Sequence, residues 1–185
     1  MAVIVRYTIK LFIIIMLLIV SISCNVKGGE LQEYFVENSS KPEFISFDIA
    51  TSIFDVSQTD FSEEEKEIYK SIKKLNILML PSENGTYQEQ KSKIKSILKG
   101  SDFEELMTLN SKEMNGKLYY IGEEDAIDEV IVFGYNNDKG FALVRLLADN
   151  LKPENIGTIV QIIQNSKMDD NSFMSLQKVF DFELN

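Results

Sequence analysis

Two apolar rhythms divide this chain near residue 100, a helical one before it and a strand-like one after it. Ser62-Glu63-Glu64-Glu65 has the form of a capping box, with Ser62 accepting from the third amide and Glu65 reaching back. Acids in that first turn also suit the positive end of the helix dipole. Ile68, Tyr69, Ile72 and Leu75 then fall on one face, with Lys66, Lys70, Lys73 and Lys74 mostly elsewhere, which predicts a helix. Leu75 to Leu80 is a short unbroken apolar run stopped by Pro81, the pattern of a strand buried on both faces. Asn84-Gly85 marks a turn, and Thr86-Tyr87-Gln88-Glu89 reads as a second capping box. The helix it opens carries Ile94, Ile97 and Leu98 and closes at Gly100, a residue suited to a left-handed terminator. Upstream, Phe44-Ile45-Ser46-Phe47 predicts a short strand, followed by Ile49, Ile53 and Phe54 at helical spacing.

Beyond Gly100, Phe103 to Leu109 fits strand or helix equally. Asn115-Gly116 then introduces three strands, Lys117–Ile121, Glu129–Tyr135 and Phe141–Leu147. Asn136-Asn137-Asp138-Lys139-Gly140 is a hairpin loop whose glycine suits positive φ. Three strands with short connections form an antiparallel meander. Pro153 stands at the first position of a helix, where its missing amide costs nothing, and Ile156, Ile159, Val160 and Ile163 line that helix's apolar face. Phe173, Leu176 and Phe180 suggest a last short helix. The element order predicts an α+β class: a single two-layer domain, with a crossover unit, a mixed sheet ending in an antiparallel meander, and helices packed on one face.

The start of the chain follows neither rhythm. Arg6 and Lys10 precede ten consecutive apolar residues, Leu11 to Val20, and then come Ser21-Ile22-Ser23-Cys24 and polar Asn25, Lys27, Gly28 and Gly29. Ten residues suit a signal-peptide core and fall well short of the ~20 that a spanning helix needs. The order predicts a lipoprotein export signal, cleaved between Ser23 and Cys24, with Cys24 acylated. Ser21 departs from the Leu usual at that position. The alternative is an uncleaved anchor in which Cys24 is a bystander thiol. Stable attachment requires more than one acyl chain, so a multiply acylated Cys24 is expected. The predicted organisation is a signal peptide over 1–23, a lipidated cysteine and flexible tether over 24–42, and a globular domain over 43–185. A short helix around Leu31 and Phe35, one turn apart, is possible within the tether.

Without the leader, 17 basic residues face 29 acidic ones, a net charge of −12. That balance opposes phosphate backbones, and no basic stripe with interleaved aromatics occurs along the chain, so nucleic acid is not an expected partner. Cys24 is the sole cysteine, so no disulfide is available within the chain.

Histidine is absent, which removes Ser-His-Asp and Cys-His nucleophiles and the usual zinc, copper and haem sites. The nine glycines make no phosphate-binding loop, and no cofactor is expected. Paired carboxylates, a Ser–Lys dyad and oxygen-ligated hard cations survive. The carboxylate candidates are Glu104-Glu105, the Glu123–Glu129 acids and Asp169-Asp170, and neighbouring acids on a strand point to opposite faces. A solvated acidic rim explains them as well. Asp125, Asp128 and Glu129 lack the spacing and glycine bend of a dedicated calcium loop. Arg145 shares a strand face with Phe141, Leu143 and Leu147. It could grip a ligand carboxylate, or it could pair with an acid on the next strand. Tyr119-Tyr120 must place one ring on each face of its strand.

The leader ending at Cys24, the Phe103-Glu104-Glu105-Leu106-Met107 segment, the Glu129–Val132 and Phe141–Leu147 strands and the helix after Pro153 together resemble the domain-of-unknown-function family numbered 4252. The likeness runs roughly from Glu43 to Gln164. It implies an exported lipoprotein domain of Gram-negative bacteria, with no catalytic residues to carry over and a weak association with envelope signalling. The leading expectation is a non-enzymatic interaction or accessory domain, lipid-anchored to the inner or outer membrane outside the cytoplasm and recognising another envelope protein. A small-ligand or peptide binder using an open sheet face and Arg145 is the alternative, and a carboxylate hydrolase stands behind both.

Overall fold

The computed structural model describes residues 27–50, 61–111 and 114–165. Ser23, Cys24 and the apolar run before them lie outside the described residues, as do Ile53, Phe54 and the helix expected around Phe173. Helix α1 spans Gly29–Ser39, strand β1 Ile45–Ala50, helix α2 Glu63–Ser71 and strand β2 Ile72–Pro81. Helix α3 spans Tyr87–Ile97 and is followed by β3 (Glu104–Asn110), β4 (Asn115–Glu123), β5 (Ala126–Asn136) and β6 (Gly140–Leu151). A 3-10 turn at Pro153–Asn155 leads into α4, Ile156–Asn165. The six strands form one sheet in the order β1-β2-β6-β5-β4-β3.

The α+β class, the single domain and the meander of β4, β5 and β6 are all present. Every pairing is antiparallel, so the sheet is not the mixed one expected. The crossover exists in another form. Strands β2 and β3 run in the same direction but are separated by β6, β5 and β4, and α3 carries the chain between them.

The helices cover both faces, giving three layers where two were expected. The cause is strand periodicity: alternate residues point to opposite sides. On β2, Leu75, Ile77 and Met79 enter one core with Ile68 of α2 and with Ile159 and Ile162 of α4. Leu78 and Leu80 enter the other core with Leu31, Tyr34 and Phe35 of α1 and with Ile94 and Ile97 of α3. Strand β6 divides in the same way, with Leu146 and Ala148 on the α2/α4 side and Phe141 and Leu143 on the α1/α3 side. A ring cluster of Phe44, Tyr87, Phe133 and Phe141, with neighbouring centroids 5.8–6.4 Å apart, fills the second core at the end near the β5–β6 hairpin.

Three local expectations are corrected. The stretch read as a flexible tether contains α1, whose Leu31 is 0% and Tyr34 1% exposed, so the packed domain begins by residue 28 and not at residue 43. The Thr86 box is not formed. The Thr86 amide and hydroxyl instead donate to Asn84 Oδ1 at 2.9 and 2.7 Å, an Asx turn that satisfies both groups without the helix. Gly100 closes the turn after α3 through its amide and the Ile97 carbonyl, but its φ is not positive. Ser62 does form the expected reciprocal box with Glu65. Gly140 ends the β5–β6 hairpin at φ 128°, and a Cβ there would collide with the Leu80 carbonyl.

Candidate functional site

Arg145 shows which of its two readings the fold adopts. It lies on the α1/α3 face of β6, 6% exposed, with Ile131 of β5 directly opposite. Its Nε donates to Glu129 Oε2 at 2.6 Å and its Nη2 donates to Glu129 Oε1, a two-pronged pair across β5 and β6. Both partners are largely out of solvent, and α1 begins beside them: a Cβ on Gly28 would sit 4.0 Å from Glu129 Oε2. The guanidinium is therefore committed to the protein's own acid, and the ligand grip assigned to Arg145 is corrected to a structural pairing. The same contact takes Glu129 away from the candidate calcium set. Among the described residues, no three carboxylates gather as metal ligands.

The expected Tyr119-Tyr120 split is present. Tyr120 points into the α2/α4 core and donates to Glu104 Oε2 at 2.6 Å, and that bond together with burial pushes the phenol up to about 12. Tyr119 faces the other side, half-buried, and burial raises its phenol as well.

Around Tyr119 the helical cover stops short. Helix α3 ends at Ile97 while β3 and β4 continue past it, leaving a groove of about 410 Å³ between the end of α3 and these two strands. Its floor is aromatic, from Phe103, Tyr119, Phe133 and Tyr135, and its rim carries Lys95, Lys99 and Lys117 with Glu105, Thr108 and Asn110. Glu105 accepts from Lys117 Nζ at 2.6 Å and from Thr108 Oγ1 at 2.7 Å. Those bonds hold its carboxyl below the usual range, and the Lys117 contact raises the ammonium in turn. Lys95 Nζ stands 3.9 Å from the Tyr135 ring centroid, and Lys91 lies over both Tyr87 and Tyr135. Among the described residues, neither Lys95 nor Lys99 has a carboxylate partner.

The fold thus builds locally what the linear chain lacks, a row of lysines interleaved with aromatic rings. Lys91, Lys95 and Lys99 are spaced by four, which sets them along one side of α3 and its extension. That spacing was visible in the sequence. Its meeting with Tyr119 and Tyr135 was not, because those rings come from β4 and β5 through strand pairing. Beside the groove, β3 is the last strand of the sheet, and Leu106 and Met107 on it are 40% and 49% exposed.

Among the described residues, the remaining candidate acids gather in no cluster of three. Glu104 is tied to Tyr120, Glu105 to Lys117 and Glu129 to Arg145, while Glu123 meets Lys27 at 3.8 Å. Asp169-Asp170 lies outside the described residues. No described helix is long and apolar enough to cross a membrane.

A family model, that of a domain of unknown function (DUF4252), matches residues 34–159. The matched stretch starts within α1 and ends within α4, and so takes in all six strands. No curated protein and no solved structure matches the chain.

Proposed function

Since the chain belongs to the DUF4252 family, we propose that it is a non-enzymatic binding domain, held on the bacterial envelope by acyl chains on Cys24, whose groove beside β3 receives another envelope protein. The observation that supports it is the groove itself: an aromatic floor, two lysines without carboxylate partners, and an exposed apolar edge strand alongside. Aromatic rings at the centre of a patch, ringed by polar groups, are the composition of protein-binding surfaces. Glu104, Glu105 and Glu129 are occupied by Tyr120, Lys117 and Arg145, and among the described residues Glu105 is the one acid lining the groove, where a hydrolase would need a pair. A small anionic ligand is the second reading, favoured by a volume within the range of small-molecule sites.

The test places a photo-crosslinking residue at Lys95 or Thr108 of the full-length protein in cells, with Glu64 on α2 as the control position. The expected result is one envelope protein joined at both groove positions, absent from the control and lost when Cys24→Ser removes the lipid site. Groove positions that yield nothing beyond the control would overturn the proposal. Mass spectrometry of the N-terminal peptide checks the anchor separately: an acylated Cys24 is expected, and an unmodified thiol defeats that part.

A further inference from the structure

We infer that the groove and the β3 edge take an acidic, extended segment of the partner, which joins the sheet as a strand beyond β3. The inference rests on the reading that the groove receives a protein, and it specifies that protein's chemistry.

Among the described residues, strand β3 pairs only with β4, and no described strand meets its outward backbone groups. Glu104 to Thr108 and Asn110 are exposed, with only Leu109 half-buried. Edge strands are ordinarily guarded by outward charges or by a bulge. Here the two acids have other employment, Glu104 on Tyr120 and Glu105 on Lys117 and Thr108. The bulge lies between Glu105 and Met107, at the start of the strand, and Met107 to Asn110 beyond it pair in unbroken register with β4. That stretch is a regular template for one more strand.

Strand geometry then sets the composition of the guest. Its side chains alternate between the faces of the sheet. On the groove side they continue the face of Thr108 and Asn110, residues that line the same groove as Lys95 and Lys99. On the other side they meet Met107, which lies opposite Leu118. The matching guest therefore alternates acidic and apolar residues. The sign of the charge is the informative part. Lys95 and Lys99 stand together on the groove rim, and among the described residues no carboxylate pairs with either, so the rim suits a carboxylate from outside. Main-chain bonds would supply the pairing and the lysines the selection, as in other strand-addition recognition.

The probe is a labelled synthetic peptide of alternating Glu and Val, about ten residues long, roughly twice a typical strand. It is titrated against the full-length protein in detergent micelles and followed by fluorescence anisotropy. Saturable binding is expected that weakens with salt and is lost when Lys replaces Glu in the peptide. It is also expected to be lost when alternate peptide amides are N-methylated, which removes the ladder donors while keeping the charge. Lys95→Glu and Lys99→Glu should each weaken binding by about tenfold, the loss of one charge-assisted contact, and Lys95→Gln by less. Unchanged circular dichroism shows that these exposed helix-end variants fold. Equal binding of the N-methylated peptide, or competition by N-acetylglutamate at the peptide's own concentration, would overturn strand addition. No binding of the Glu-Val peptide would overturn the inference as a whole. Each of these results leaves the in-cell crosslink at Lys95 and Thr108 standing, so the two failures are separable.

Discussion

Arg145 and Glu129 form an ion pair with little access to water, and such pairs have an asymmetric energetic signature. Removing one partner strands a buried charge, at a cost of about 3–5 kcal/mol, whereas replacing both by apolar residues of similar volume is often close to neutral. Glu129→Ala is therefore expected to lower the urea-unfolding free energy by about 3 kcal/mol, and the double variant Arg145→Met, Glu129→Leu to recover to within about 1 kcal/mol of the parent. A single-site loss below about 1 kcal/mol would show that the guanidinium has water or another acceptor available. The sequence carried half of this. Arg145 among Phe141, Leu143 and Leu147 is visibly out of place, but naming its partner needs the register that brings β5 beside β6, including the irregularity between Ile127 and Glu129.

Helix α1 shows why an element can be missed although its residues are ordinary. Gly28-Gly29 before it and Asn38-Ser39-Ser40-Lys41-Pro42 after it have the composition of a spacer, leaving the short island of Leu31, Tyr34, Phe35 and Val36 as the apolar signal. Asn38 reads as a loop residue, yet it is 1% exposed, donating from Nδ2 to the Tyr34 carbonyl at 2.7 Å and accepting from Lys41 Nζ at 2.8 Å. Tyr34 in turn donates to Gln90 Oε1 on α3 at 3.0 Å, which fixes α1 against its neighbour. Leu31→Ala should cost about 2–5 kcal/mol, as a buried leucine does, while Val36→Ala on the exposed side should change stability by less than about 0.5 kcal/mol. Urea titrations of the two variants measure the contrast, and equal effects would return the segment to the status of a spacer. The layer count was legible in part as well. The unbroken run Leu75–Leu80 requires cover on both faces of β2, and the structure supplies it. The run does not say which helix takes which side, because that depends on the path of α3 across the sheet.

At the scale of the whole molecule, the packed start of α1 changes what an anchor at Cys24 would do. The Gly28 amide donates to Asp102 at 3.0 Å, and Gly28 takes φ 73° against Ile121, where any side chain would collide. Only three residues then separate a lipid on Cys24 from a fixed point at Gly28, a reach of at most about 14 Å. The end of the sheet bearing Asp102 and the β4–β5 turn would face the bilayer, and the β5–β6 hairpin around Asp138 would point away. Strand β5 has 11 residues and spans about 35 Å between those ends. The prediction uses dyes on Glu124→Cys and, separately, Asp138→Cys in vesicles carrying an acceptor lipid. The native thiol is occupied by acyl chains in the proposed form, so each variant offers one labelling site. Energy transfer should be strong from position 124 and weak from position 138. A flexible Gly/Ser insertion of about a dozen residues between Cys24 and Lys27 should shrink the difference, since such a chain reaches roughly 20 Å and lets the domain tumble. Equal transfer from the two positions in the uninserted protein would mean that the domain is not held upright. The groove runs along β3 and β4 between these ends, so an upright domain would hold it along the membrane normal and open it sideways, toward a partner anchored in the same surface.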